Sequence, residues 1–163
     1  MQPHNDRMQR GFTLTELVIT MLIAGVVGAM ALPSLSDLLV SSRIKQTATD
    51  MVATLSYARN EAINRNAPVN IIALGEWSAG WQVVTADTLL RQTKLTGELR
   101  VDGPAANTVT YNPDGRLATL ATLRFGFSVP ANTAVLTRCI SATLMGQPVL
   151  QADGNRDGDC TNG

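Results

Sequence analysis

Near the C-terminal end of the chain, Asp153, Asn155 and Asp157 alternate along DGNRDGD and lead into Gly158. This is the opening D-x-[DN]-x-[DN]-G of a calcium loop, in which oxygen ligands at alternate positions converge on one hard cation. The bidentate glutamate that should close such a loop at its twelfth position is not reached. A calcium site at Asp153, Asn155 and Asp157 would therefore need ligands from other segments, and an Asp/Asn/Gly turn accounts for the same residues without a metal. The two cysteines, Cys139 and Cys160, flank this stretch. Their spacing is not that of a zinc site, and the single histidine, His4, lies far away. A disulfide between them is the expectation for a domain outside the cytoplasm, two separate buried thiols being the alternative. Catalysis has no comparable foothold. No G-x-S-x-G, H-E-x-x-H, phosphate-binding loop or dinucleotide fingerprint appears, and the carboxylates are scattered. The chain is expected not to be an enzyme, and no cofactor is implied beyond the calcium option.

A further chemically unusual residue sits at the other end. From Phe12 to Ser36 the sequence is almost wholly apolar, yet Glu16 lies within it. A carboxylate in such a run costs a few kcal/mol on membrane-insertion scales. Arg7 and Arg10 followed by an apolar stretch and Ala29-Met30-Ala31 would suit a secretory signal peptide. The uncharged run from Leu17 to Ser36, about 30 Å as a helix, would suit an ordinary transmembrane anchor. Neither gives Glu16 a purpose. A cut between Gly11 and Phe12 does, because it creates an α-amino group that the Glu16 carboxylate of a neighbouring copy can neutralise when apolar helices pack.

GFTLTE followed by an apolar helix resembles the class III leader of type IV pilins and type II secretion pseudopilins. The resemblance implies cleavage after Gly11 by a prepilin peptidase and N-methylation of Phe12. It also implies that Glu16 acts in assembly and that Pro33 marks a bend in the helix, where it removes an i→i−4 bond.

The elements that must position these residues follow from periodicity. Ile44, Ala48, Met51, Val52, Leu55, Ala58, Ala62 and Ile63 recur by threes and fours, with Arg43, Lys45, Gln46, Thr47, Asp50, Arg59 and Asn60 between them. That is one apolar stripe with a polar back, and it predicts a helix lying on a sheet and ending near 64–66, before Pro68. Beyond Pro68 short apolar or β-branched runs alternate with turn residues. Strands are predicted at Val69–Leu74, Trp81–Thr85, Leu89–Leu95, Leu99–Val101, Thr108–Tyr111, Leu123–Val129, Val135–Ser141 and Pro148–Leu150. Trp77 and Trp81 are expected to clamp a tight turn made possible by Gly80. The predicted fold class is α+β: a long N-terminal α-helix, transmembrane and then amphipathic, packed on a small antiparallel β-rich head. The segments are a leader at 1–11, a transmembrane half at 12–36, an amphipathic half at 37–66 and the head at 67–163.

Three stretches of the head narrow the resemblance to the FimT/GspH branch of minor pilins and pseudopilins. They are LSYARNEAINRNAPVNI (Leu55–Ile71), EWSAGW (Glu76–Trp81) and YNPDGR (Tyr111–Arg116). The implied function is that of a FimT-like minor pilin taking part in pilus assembly and priming, a GspH-like pseudopilin of type II secretion being the alternative. The implied partners are other pilins through the helix, the prepilin peptidase, and the inner membrane crossed once, with a periplasmic head. Some FimT-like proteins bind DNA in natural transformation through a C-terminal glycine-arginine-x-arginine segment. The corresponding stretch here, LMGQPVLQ (Leu144–Gln151), has Gln147 and Leu150 where the charges are wanted. DNA binding would then rest on Arg116, Arg124, Arg138 and Arg156, phosphate ligands by charge and bidentate geometry. With 13 basic and 13 acidic residues, the chain as a whole has no net field to attract a polyanion.

Overall fold

Helix α1 runs from Leu14 to Arg65 in the computed structural model. The model describes residues 12–160 apart from Asp87, Leu120 and Thr133, with backbone alone at 29–34. The helix ends on a left-handed residue, Asn66, at φ 49°. The Asn66 amide donates to the Ile63 carbonyl and the Ala67 amide to that of Ala62, both at 3.3 Å, a Schellman cap that satisfies two terminal carbonyls. Pro68 follows and cannot extend the helix.

The chain divides into two units, Met1–Ser36 and Asp37–Gly163. In the second, Ile44, Ala48, Met51, Leu55, Ala58 and Ala62 are all buried, while Ile63 at the edge of the same stripe stays exposed. The alternation of alanine with larger side chains lets the helix approach the sheet closely while Met51 and Leu55 fill the space between. Eight strands are present among the described residues, in two four-stranded antiparallel sheets. The first has the order β3 (Thr88–Lys94), β2 (Glu76–Thr85), β1 (Val69–Leu74), β5 (Thr108–Tyr111). The second has β4 (Arg100–Asp102), β6 (Leu123–Ser128), β7 (Arg138–Ala142), β8 (Pro148–Ala152).

Period-two burial explains the register: β1 reads buried and half-buried alternately, and Val69 and Ile71 face the core opposite Tyr111 and Val109 of β5. The tryptophans depart from expectation. The turn falls at Gly75, and EWSAGW is the start of strand β2 rather than a tight turn. Both indoles enter the core. Trp81 donates its ring N–H to Thr54 Oγ1 of α1 at 3.1 Å. Trp77 stands edge-on to Phe125 of β6 with ring centroids 4.9 Å apart, and its N–H reaches the Pro104 carbonyl. Ser78 Oγ accepts the Val101 amide at 2.9 Å, so β2 meets the second sheet through both polar and aromatic contacts. Gly80 is needed for a different reason than a turn: at φ +121°, a Cβ there would lie 2.2 Å from the Thr93 carbonyl of β3. The predicted strand at Val135–Ser141 begins only at Arg138, and residues 135–137 belong to a loop.

The transmembrane part of the expected fold class is corrected by the structure. Among the described residues no helix is long and apolar enough to cross a membrane. The expected transmembrane half at 12–36, the single-pass membrane partner and the inner-membrane location are withdrawn with it. What stands is an α+β chain whose amphipathic helix packs on antiparallel sheet.

Two consequences are measurable. Replacing Thr54 with Val leaves the buried Trp81 N–H without an acceptor and should lower unfolding free energy by about 1–3 kcal/mol, read from urea denaturation. Tyr111 is fully buried, and burial pushes its hydroxyl up to about 12, with the Arg59 guanidinium pulling the other way. Its O–H donates to the Gly146 carbonyl at 3.0 Å. The unfolded chain loses this proton near pH 10 and the folded one near 12. Stability should therefore fall as pH rises through that window, by up to about 1.4 kcal/mol per pH unit. Denaturation midpoints at pH 9, 10 and 11 would show it, and Tyr111→Phe should flatten the profile.

Candidate functional site

At the head of α1, Thr13 and Glu16 form a reciprocal pair. The Glu16 amide donates to Thr13 Oγ1 at 3.2 Å, while Glu16 Oε2 accepts both the Thr13 amide and its hydroxyl at 3.1 Å. This is a capping box: Thr13 is the N-cap, Glu16 the third helical residue, and two otherwise orphaned amides are satisfied. The carboxylate also lies at the positive end of the helix dipole. The signal for it is plain in the sequence as T-x-x-E before an apolar run. Phe12, Leu14, Met21 and Leu22 are all more than three-fifths exposed, and Leu17, Val18, Ile19, Ile23, Val26 and Val27 are exposed beside them. Ten large apolar side chains on one helix segment form a surface that water disfavours. Gly11 lies outside the described residues, as does the side chain of Pro33.

The C-terminal stretch is held by a disulfide between Cys139 on β7 and Cys160, with Cα atoms 5.4 Å apart. Gly126 of β6 makes room for it: a Cβ there would stand 3.2 Å from the Cys160 sulfur. Between β8 and Cys160 the loop is stitched to itself. Asp153 Oδ2 accepts the Gly158 amide at 2.7 Å, and Asn155 Oδ1 accepts that of Asp157. Asp157 Oδ1 accepts the Asp159 amide, and its Oδ2 accepts a hydrogen bond from the Asn155 side-chain amide. The calcium-like spacing thus gives a ladder of side chains turned toward their own backbone. Among the described residues no group of three His, Cys, Asp or Glu is placed to hold a metal.

The four arginines do not share one surface. Arg124 pairs in register with Ser141 and Arg138 with Phe127, which puts them on opposite faces of the second sheet. Arg116 sits in the β5–β6 loop beside Asp114, 3.8 Å away. Arg156, at φ 60°, lies in the C-terminal loop. The YNPDGR turn is held from the helix: Arg59 of α1 donates to the Gly115 carbonyl at 2.9 Å.

A helix capped by Thr13 and Glu16, packed downstream on antiparallel sheet and trailing a disulfide-closed loop, is the architecture of a type IV pilin-like subunit. The family described as Type II transport protein GspH matches residues 47–146, and the Prokaryotic N-terminal methylation motif matches residues 6–32. The chain belongs to the GspH family of minor pilins and pseudopilins. The type IV minor pilin FimU of Pseudomonas aeruginosa PAO1 superposes with a TM-score of 0.62 at 22% identity, over 73% of this chain and 96% of FimU. A second crystal form of FimU gives 0.59 at 23%, over 71% and 98%. The minor pseudopilin EpsH from the type 2 secretion system of Vibrio cholerae gives 0.53 at 17%, over 68% and 97%. No curated protein matches the chain. The chain is not an enzyme, and its family role lies in pilus or pseudopilus assembly.

Removing the disulfide tests how far the C-terminal loop depends on it. The half-cystines are 21 residues apart. Opening that loop should cost about 3 kcal/mol in the chain-entropy model. Paired Cys139→Ser and Cys160→Ser substitutions, compared with wild type by urea denaturation under oxidising conditions, measure the loss.

Proposed function

We propose that this chain is a FimT-like minor pilin that is cut after Gly11 by a prepilin peptidase, methylated at Phe12, and built into a pilus through α1. One observation carries the reading: a methylation motif over residues 6–32 leads directly into a capped helix whose apolar side chains stand exposed. Such a helix gains most by packing against helices of the same kind, each exposed Leu, Ile or Val contributing roughly 1.5–3 kcal/mol when fully buried. In the assembled bundle the Glu16 carboxylate lies within reach of a neighbour's new amine, and its charge gains a partner there. Gly25 and Gly28 allow close backbone approach along the contact.

Glu16 thus has two roles, capping its own helix and pairing with the neighbour's amine, and they separate experimentally. Glu16→Gln keeps a side-chain oxygen for the capping box and removes the charge. Thr13→Ala breaks the box and leaves the charge. The expected outcome is normal processing at Gly11 in both. Filament incorporation should fall at least tenfold in Glu16→Gln and only mildly in Thr13→Ala, read by immunoblot of sheared filaments. If Glu16→Gln assembles like wild type, the charge pair has no part in assembly.

A further inference from the structure

Four strands stand at the outer edges of the two sheets, and they are not equally protected. Beside β5 the chain folds back: Leu117 bridges Tyr111, and the Ala118 amide donates to the Thr110 carbonyl at 2.9 Å. Beside β4, Ser78 Oγ of β2 accepts the amide of Val101, the central residue of that strand, at 2.9 Å. β8 is five residues long and starts with Pro148, which has no N–H to offer. Among the described residues β3 has no such cover. It pairs with β2 alone, and Thr88, Leu89, Arg91, Gln92 and Lys94 are exposed along it.

Register tells which backbone groups of β3 are open. Arg91 pairs with Val83 and Thr93 with Trp81, and the Leu95 amide donates to the Ala79 carbonyl at 3.1 Å. Hydrogen-bonded pairs alternate with non-bonded ones in an antiparallel ladder. Arg91, Thr93 and Leu95 therefore turn their backbone groups to β2, and Gln92 and Lys94 turn theirs outward. Leu90 has no partner in the register, a bulge that confines the regular edge to residues 91–94. Such an edge is a template for one more strand. Its charges select which strand. Arg91 and Lys94 stand on opposite faces, and neither belongs to an ion pair among the described residues. A second copy would bring its own Arg91 and Lys94 to the same short ladder, and like charges oppose that pairing. We propose that β3 accepts an extended acidic segment of a partner protein as a further strand. The segment bonds to the outward backbone groups of Gln92 and Lys94 and sets carboxylates, three residues apart, opposite Arg91 and Lys94. The proposal stands independently of the filament reading, since it uses no residue of α1.

Hydrogen exchange of the β3 amides in the full chain reads strand addition directly. The probes are three capped hexapeptides: Thr-Glu-Val-Thr-Glu-Val and its counterparts with glutamine or lysine in place of glutamate. With the acidic peptide at millimolar concentration, the Gln92 and Lys94 amides should exchange at least about tenfold more slowly than in the free chain. The glutamine peptide should slow them far less, and the lysine peptide not at all. Arg91→Glu combined with Lys94→Glu should transfer the protection to the lysine peptide. Gln92→Pro, tolerated on an edge strand where the N–H faces outward, should abolish protection of Lys94 while the urea midpoint barely moves. Equal protection by all three peptides, protection by none, or self-association of the chain through β3 would each overturn the proposal. Should Gln92→Pro fail to fold, the charge-reversed variant and the three wild-type titrations decide.

Discussion

The structure of residues 37–160 depends on one contact surface, the stripe Ile44–Ala48–Met51–Leu55–Ala58–Ala62 laid on the first sheet. Everything else in that unit is arranged to keep it dry. β1, β2 and β5 offer Val69, Ile71, Val83, Val109 and Tyr111 to the core, and Trp81 closes the surface while spending its one polar atom on Thr54. An amphipathic helix this long has little reason to persist by propensity alone; tertiary burial of its apolar stripe holds it. The alanines matter as much as the larger residues, because a bulkier side chain at 48, 58 or 62 would push helix and sheet apart.

Beside the Ser78–Val101 hydrogen bond, the second sheet is joined to the first through Trp77. Its ring meets Phe125 on one side and its N–H meets the Pro104 carbonyl on the other, so β2 and β6 are coupled by one amphipathic side chain. Farther out the core thins, and the chain changes its means of support. Covalent closure by Cys139–Cys160 and a ladder of Asx hydrogen bonds hold residues 153–160, where few apolar groups are available. Local hydrogen bonding of this kind leaves Asp153 Oδ1 over, the one buried side-chain oxygen unsatisfied among the described residues.

At the N-terminal end the balance is reversed. Apolar side chains from Phe12 to Val27 are exposed, and the Thr13–Glu16 box supplies the polar structure at the helix start. A capped helix presenting apolar residues is poised for association, because its own backbone needs are already met at the end where four amides would otherwise compete for partners. Membership in the GspH family, with pilus or pseudopilus assembly as the family role, is consistent with that economy.

Much of this was open to reading in the residues themselves. Three-and-four spacing from Ile44 to Ala62 placed the helix and its buried face, and Pro68 marked where it must stop, because both signals are local and repeat over many turns. Six of the strand positions were legible within a residue or two for the same reason. EWSAGW by itself suggests turn chemistry at Gly80. Only the pairing of β2 with β3 shows that a side chain at 80 would strike the Thr93 carbonyl. In DGNRDGD the alternating oxygens allow both a cation loop and an Asx turn, and only the structure shows the backbone amides that claim them. Glu16 was visible as an anomaly, while its bond to Thr13 followed a spacing rule that the charge argument overshadowed. Residue types and periods alone thus determined the helix, the β-rich remainder and the presence of a carboxylate within an apolar run at residue 16. Tertiary structure decided which arginines face apart, which tryptophan joins the sheets and which aspartate is left unsatisfied, because those outcomes are set by contacts between segments far apart in the chain.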